Sequence, residues 1–489
     1  MSTPKWVKDA IFYQIFPDRF AKSGNNPASN LPFEAWDSAP TTYGFKGGDL
    51  YGVIEKLDYL GELGINAIYF NPVFSSASNH RYHTFDYYSV DPLLGGNEAL
   101  KKLIKAAHKK NIRIVLDGVF NHASRGFWQF NHVLETGAAS PYRGWFHFDE
   151  ERLNGKKHWG AYPTHHEEQL LKHEDSLTAI GYRAWWNLPA LPKFNTDNPV
   201  VREYIFDIAQ YWVKFGIDGW RLDVPGEIND DEFWREFRRR VHDVNPDTYI
   251  VGEVWHEAQR WLQGDQFDAV MNYLVTAISI NFFAANTLNR NIIDQAGGLK
   301  DRIRPMNGYD FANELDRILN MYPREITYAQ LNLLDSHDMP RFLSCVSGDK
   351  SALKLAWLFM FTIPGAPCIY YGDEVGVDGG HDPECRKSFP WDESNQDKDL
   401  LEYVKTCTSL RTEHAALRRG DFNRLHAEGE LMAYSRTYKN DTVIVAFNTS
   451  SQEKTLELPL SKKPQALFGS PVISGSSMTI PPRSGVVVK

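Results

Sequence analysis

One pattern limits this chain more than any other: short β-branched and aromatic runs alternate with longer helical stretches from the N-terminus to about residue 413. The runs are Ala10–Phe16, Ala67–Phe70, Ile112–Leu116, Gly219–Leu222, Tyr249–Val251, Ala269–Met271, Tyr328–Leu333 and Cys368–Tyr371. Helical patterns cover Leu50–Leu63, Glu98–Lys110, Val200–Phe215, Asp231–Asp243, Phe311–Met321, Lys350–Phe361 and Asp399–Glu413. Strand–helix–strand units set successive strands parallel, and a parallel sheet needs helices over its outer face. Eight strands in this alternation predict an α/β chain built on a (β/α)8 barrel. The 489 residues exceed what one barrel requires, and the surplus falls in two places. About 80 residues rich in Trp, His, Pro and Gly separate the third run from the helix at Val200, and a loop that long is usually a functional segment or a small domain. The expected barrel therefore covers residues 1–120 and 199–417, with an inserted domain over 121–198. Beyond Leu417 the runs Leu431–Thr437, Thr442–Asn448 and Lys454–Leu458, set apart by turn residues, predict a C-terminal antiparallel β-sandwich over 418–489.

In such a barrel, chemistry sits where the strands end at their C-terminal side. The third run ends in Asp117-Gly-Val-Phe-Asn121-His122, the fourth in Arg221-Leu-Asp223, the fifth in Gly252-Glu253-Val-Trp255-His256 and the seventh in Leu334-Asp335-Ser-His337-Asp338. A single Asp at a strand end is ordinarily the N-cap of the next helix. Carboxylates at four ends instead crowd one cleft, a cost tolerated where acid–base, nucleophilic or metal chemistry uses it. Two-metal hydrolases want clustered histidines such as H-x-H, which do not occur here; His165-His166 lies in the insertion and reads as surface. Glycoside hydrolysis needs this equipment, because a retaining mechanism sets a nucleophilic carboxylate and a proton-donating one across the glycosidic bond. The 14 Trp, 23 Tyr and 29 Phe supply rings for the apolar faces of sugars. A net charge of −9 lacks the footprint of a nucleic-acid binder and suits a neutral substrate. The cysteines, Cys345, Cys368, Cys385 and Cys407, include no C-x-x-C pair, so neither a zinc site nor a disulfide framework is signalled. The apolar run Ile11–Phe16 is interrupted by Gln14, and Leu353–Ala366 contains Lys354 and Pro364. Neither reads as a signal peptide or membrane span, so the expected location is the cytoplasm, with no membrane partner.

These segments resemble the α-amylase superfamily, glycoside hydrolase family 13. The resemblance rests on Asp117-Gly-Val-Phe-Asn-His122, Gly219-Trp-Arg-Leu-Asp223, Gly252-Glu-Val-Trp-His256, Asp335-Ser-His-Asp338 and Gly365-Ala-Pro-Cys-Ile-Tyr-Tyr-Gly-Asp-Glu374, in the family's order. Leu191-Pro-Lys-Phe-Asn195 is similar to a box of the neopullulanase and cyclomaltodextrinase subfamily. The resemblance implies Asp223 as nucleophile, Glu253 as general acid and then base, and Asp338 as the third carboxylate, binding sugar hydroxyls. It implies Arg221 as the cation beside the nucleophile, His122 and His337 as hydroxyl ligands, and Tyr82 as the ring under the reacting sugar. Asp382 and Arg386 would form a further hydroxyl-binding pair, Trp255 an acceptor-side aromatic, and Asp117 a structural residue. Trp185 and Trp186 receive no role.

Three departures from the pattern bear on ligands. The subfamily's extra N-terminal β-domain is expected to be absent, any homodimer to use another surface, and the cleft to be more open to bulky or branched chains. Gly226 stands where the subfamily commonly has Asn near the acceptor site. The subfamily's calcium loop is here Ala21-Lys-Ser-Gly-Asn-Asn26, which leaves only Asn25, Asn26 and Asp49 as weak calcium ligands. No organic cofactor is implied. The expected activity is hydrolysis of α-1,4 or α-1,6 bonds in maltooligosaccharides, cyclodextrins, pullulan or branched glucans, with transglycosylation open to it. An oligo-1,6-glucosidase or a trehalose- or sucrose-converting relative shares the carboxylates but not the Leu191–Asn195 box. A non-catalytic carbohydrate-binding relative would have lost the carboxylates.

Overall fold

The computed structural model describes residues 3–156, 160–294 and 297–489. Eight strands form one parallel sheet: β1 (Phe12–Ile15), β2 (Ala67–Phe70), β3 (Arg113–Gly118), β4 (Gly219–Leu222), β5 (Tyr249–Gly252), β6 (Ala269–Val270), β7 (Leu331–Leu333) and β8 (Ala366–Tyr370). Their order is β6-β5-β4-β3-β2-β1-β8-β7. A parallel bridge between Met271 and Leu331, with the Asn272 N–H donating to the Leu331 carbonyl at 2.8 Å, joins the two ends into a barrel. Apart from Arg113 at the start of β3, every residue of these strands is buried, which is why they read as continuous apolar runs rather than alternating ones.

The principal barrel helices are α1 (Leu50–Glu55), α2 (Leu57–Glu62), α3 (Gly96–Lys109), α4 (Pro199–Phe215), α5 (Asp231–Val244), α6 (Tyr273–Phe283), α7 (Gly308–Leu319), α8 (Lys350–Thr362) and α9 (Lys398–Glu413). Their starts follow from local chemistry: Asn198 caps α4 ahead of Pro199, and Asp230 accepts from the Glu232 and Phe233 N–H groups of α5. Three expectations need correction. The helix expected over Leu50–Leu63 breaks into α1 and α2 at Lys56. The strand expected from Tyr328 begins only at Leu331, because Arg324–Thr327 is a helical turn. Helix α6 went unread because all eleven of its residues are buried, leaving no polar face to mark a helical period.

Residues 119–198 hold short helices, Trp128–Thr136, Glu150–Leu153, His165–Leu170 and Ser176–Ile180, and place His165 and His166 on the surface. The C-terminal region forms two antiparallel sheets. One has the order β9-β10-β11-β16-β13 and the other β12-β15-β14, where β9 is Asp421–Glu428, β10 Leu431–Tyr438, β11 Asp441–Asn448, β12 Lys454–Glu457, β13 Ala466–Phe468, β14 Val472–Ser474, β15 Ser477–Ile480 and β16 Ser484–Val488. All four cysteines are free and buried.

Two fully buried guanidiniums clamp the end of α8. Arg411, from α9, donates to the carbonyls of Phe361 at 2.9 Å, Leu417 at 3.2 Å and Gly365 at 2.5 Å. Arg436, from β10, donates to the carbonyls of Thr362 and Gly420. Helix C-terminal carbonyls carry partial negative charge and have no partner within the helix, so the cations serve them without carboxylates. Arg411→Met should lower stability by about 2 kcal/mol or more, because the bared carbonyls stay buried; the midpoint of thermal unfolding would fall accordingly.

Candidate active site

Pairing register brings the first charges together. Asp117 on β3 lies beside Arg221 on β4, and Leu222 lies beside Gly252, so Glu253 follows immediately at the end of β5. Arg221 and Asp223, two residues apart, share one face. The buried Arg221 guanidinium holds three acids: Nη1 is 3.0 Å from both oxygens of Asp117 and 2.9 Å from Asp223 Oδ1, and Nη2 is 3.1 Å from Glu253 Oε2. Among the described residues no donor reaches the buried Asp223 Oδ2. Burial pushes the Asp223 carboxyl well above the usual range; Arg221 pulls against it, and the charges of Glu253, Asp117 and Asp338 add to the rise.

Glu253 is held from two sides. Its Oε2 accepts the Val224 N–H at 3.1 Å and its Oε1 accepts the Trp255 indole N–H at 3.0 Å. Val224 adopts left-handed backbone angles, φ 36° and ψ 51°, rare for a β-branched residue. Asp338 is more open, its side chain 31% exposed. Its Oδ2 lies 3.1 Å from His337 Nε2 and its Oδ1 3.5 Å from Arg386 Nη2. Burial and the charge of Glu253 push this carboxyl up to about 7, against the pull of Arg386 and Arg221.

Behind Asp338 lies a polar chain. His337 stacks parallel to Tyr82, 5.4 Å between centroids, with the Tyr82 hydroxyl 2.7 Å from His337 Nε2. That hydroxyl donates to Asp117 Oδ2 at 2.8 Å and receives Asn71 Nδ2 at 3.1 Å. Gln14 Nε2, from β1, lies 3.0 Å from both His337 Nδ1 and Asn71 Oδ1. Gln14 and Asn71 were not singled out from the sequence. The one signal for Gln14 was a polar residue inside an otherwise apolar run.

The cleft measures about 460 Å³ and is lined by Tyr82, Asp223, Glu253, Trp255, Asp338, Asp382 and Arg386 among others, so most of the expected residues meet there. Arg386 Nη1 lies 3.1 Å from Asp382 Oδ1. Trp255 stacks on Tyr273 of α6 at 3.8 Å, a partner hidden with that helix. His80 and His83 also line the cleft; both are held neutral by burial, His83 with its pKa lowered to about 4.

His122 sits deeper than expected. It is fully buried, outside the lining, and stacks on Trp185 at 5.0 Å, which stacks on Trp186 at 4.5 Å. The Leu191–Asn195 segment runs antiparallel beside it, pairing Lys193 with His122, and Lys193 Nζ reaches the Glu227 carbonyl at 2.9 Å. Gly226 lies exposed on the turn Pro225–Glu227, outside the lining. Asp49 caps α1, accepting from Gly52 N–H at 2.8 Å and from the Ser23 N–H and hydroxyl at 3.1 Å each. Asn26 accepts the Ala28 N–H at 3.0 Å, and Asn25 donates to Glu55 at 3.3 Å. These are the contacts of capped turns and do not fit calcium, which gathers about six to eight oxygens. Among the described residues no group of three or more His, Cys, Asp or Glu side chains is placed to hold a metal.

The model of the α-amylase catalytic domain matches residues 14–420, and that of an α-amylase C-terminal domain residues 420–468. The chain belongs to the α-amylase family. It is 46% identical over 459 residues to a cyclomaltodextrinase from a Bacillus species, covering 93% of this chain and 75% of that one. Among solved structures, a debranching enzyme from Nostoc punctiforme is 44% identical with a TM-score of 0.88, covering 100% of this chain and 99% of that one. A cyclic α-maltosyl-(1→6)-maltose hydrolase from Arthrobacter globiformis is 33% identical with a TM-score of 0.85, covering both chains in full at 100%. This α-amylase-family chain is thus a glycoside hydrolase of the α-glucan type. Its Asp338 titration can be tested directly: Arg386→Met removes a cation that lowers the pKa, so the limb of the kcat/KM–pH profile reporting Asp338 should move to higher pH.

Proposed function

We propose that this chain is a retaining α-glucan hydrolase of the cytoplasm that releases short α-1,6-linked branches and opens α-1,4 links of small and cyclic glucans. The observation that carries the reading is the Asp223 carboxylate, with one oxygen clamped by Arg221 and the other left without a donor. The Arg221 cation favours the ionised form that a nucleophile needs. In this reading the Asp223 carboxylate attacks the anomeric carbon while Glu253 gives its proton to the leaving oxygen. Glu253 then takes a proton from water as the glycosyl ester is cleaved. Bridging of Asp223 and Glu253 by one guanidinium fits the close spacing, about 5–5.5 Å, of retaining pairs. Asp338, Arg386 and Asp382 bind hydroxyls of the sugar before the cut, with Tyr82 and His337 beneath it. Trp255, backed by Tyr273, supports the sugar after the cut. There a second sugar hydroxyl can replace water at the ester, giving transglycosylation.

Branch cleavage is supported by the debranching enzyme and the cyclic maltosyl-maltose hydrolase, whose chains this one matches from end to end. The likeness to a cyclomaltodextrinase favours a second reading, in which ring opening comes first. A cyclodextrin bearing one maltosyl branch separates them. Free maltose and an intact ring should appear before any linear product; linear products first would establish the second reading. Asp223→Asn should lower kcat by about 10⁴-fold or more, with the unfolding temperature retained, and residual turnover near wild type would refute the nucleophile assignment.

A further inference from the structure

The chain from β1 to Asp117 is directional. Both oxygens of Asp117 face donors: Arg221 Nη1 at 3.0 Å, with the Tyr69 hydroxyl at 3.0 Å and the Tyr82 hydroxyl at 2.8 Å on Oδ2. Paired with the Arg221 cation through both oxygens, Asp117 acts as a carboxylate that only accepts, and Tyr82 spends its single O–H on it. Tyr82 must then accept from its other neighbours, which turns the Asn71 amide nitrogen toward it. The Asn71 oxygen accordingly faces Gln14, so the Gln14 group 3.0 Å away must be its nitrogen. The same nitrogen lies 3.0 Å from His337 Nδ1, which has to be a bare acceptor.

We infer that Gln14 is a positioning residue that confines the proton of neutral His337 to Nε2, the nitrogen 2.7 Å from the Tyr82 hydroxyl and 3.1 Å from Asp338 Oδ2. The opposite tautomer would aim a lone pair at the Asp338 carboxylate and compete with Asp117 for the Tyr82 proton. With the proton on Nε2, the imidazole donates to the Tyr82 oxygen 2.7 Å away and turns a positive edge toward the Asp338 carboxylate at 3.1 Å. Burial keeps His337 far below the usual imidazole range, so the ring stays neutral and its tautomer matters. Gln14 reaches no cleft surface itself; it is 1% exposed on a buried strand.

The inference deepens the hydrolase reading, on which only its kinetic arm rests. Protein labelled with ¹⁵N in its imidazole rings gives two-bond proton–nitrogen correlations that distinguish the tautomers, and His337 is identified by the signals lost in His337→Gln. Wild-type protein should show His337 protonated on Nε2 alone. Gln14→Glu replaces the donor by an acceptor and should move a proton to Nδ1, while kcat falls by about tenfold or more and the pH profile shifts. Gln14→Met removes the donor without adding charge and should yield mixed tautomers. A wild-type His337 protonated on Nδ1 overturns the inference whether or not any variant folds, as does an unchanged tautomer in a folded Gln14→Glu protein. The spectra need no substrate, so failure to cleave α-glucans would remove the functional reading and leave this test standing.

Discussion

A guanidinium buried among three acids organises everything else at the mouth of this barrel. Asp117, Asp223 and Glu253 come from three adjacent strands, and their mutual repulsion in a dry pocket would splay those strand ends. Arg221 converts that repulsion into attachment. It works only because β3, β4 and β5 pair in one register. A slip of one residue would turn Arg221 out of the barrel and leave the acids facing one another. The architecture and the chemistry are thus joined at one side chain, and the closure of β6 onto β7 matters because it keeps this register from drifting.

The cleft has two kinds of lining. Asp382, Arg386 and the neutral His80 and His83 are polar, and Trp185, Trp186 and Trp255 are aromatic. Hydrogen bonds discriminate sugar hydroxyls sharply, because a missing partner leaves a buried group unpaired, whereas stacking tolerates many ring orientations. Among the aromatic residues, Trp186 is 76% exposed and held in left-handed angles, φ 52° and ψ 29°, with one face stacked on Trp185.

Much of this was open to reading from residue order. The strands were visible because burial on both faces makes them apolar, and the three carboxylates because acids at strand ends have little structural reason to recur together. What escaped notice shares a cause. Gln14, Asn71 and Tyr273 act through partners far away in sequence, and nothing near them marks a site. His80 and His83 lay beside Tyr82 in a segment already noticed, yet their alignment with the cleft depends on a loop conformation that composition does not encode. His122 lies deeper than its motif suggested, because the Trp185 ring stacks over it.

The clamp on α8 carries a consequence for how the molecule comes into being. The helix leads directly into β8, whose following loop supplies Asp382 and Arg386, and its last carbonyls are closed by Arg411 and by Arg436 of the C-terminal sheet. Synthesis proceeds from the N-terminus, so the barrel's final strand is made before the cations that fasten its approach. Until the ribosome has released residue 436, the end of α8 lacks the second of its two cations, although β8 can already pair with β1 and β7. The C-terminal sheet is in this sense less an appendage than the last fastener of the catalytic domain.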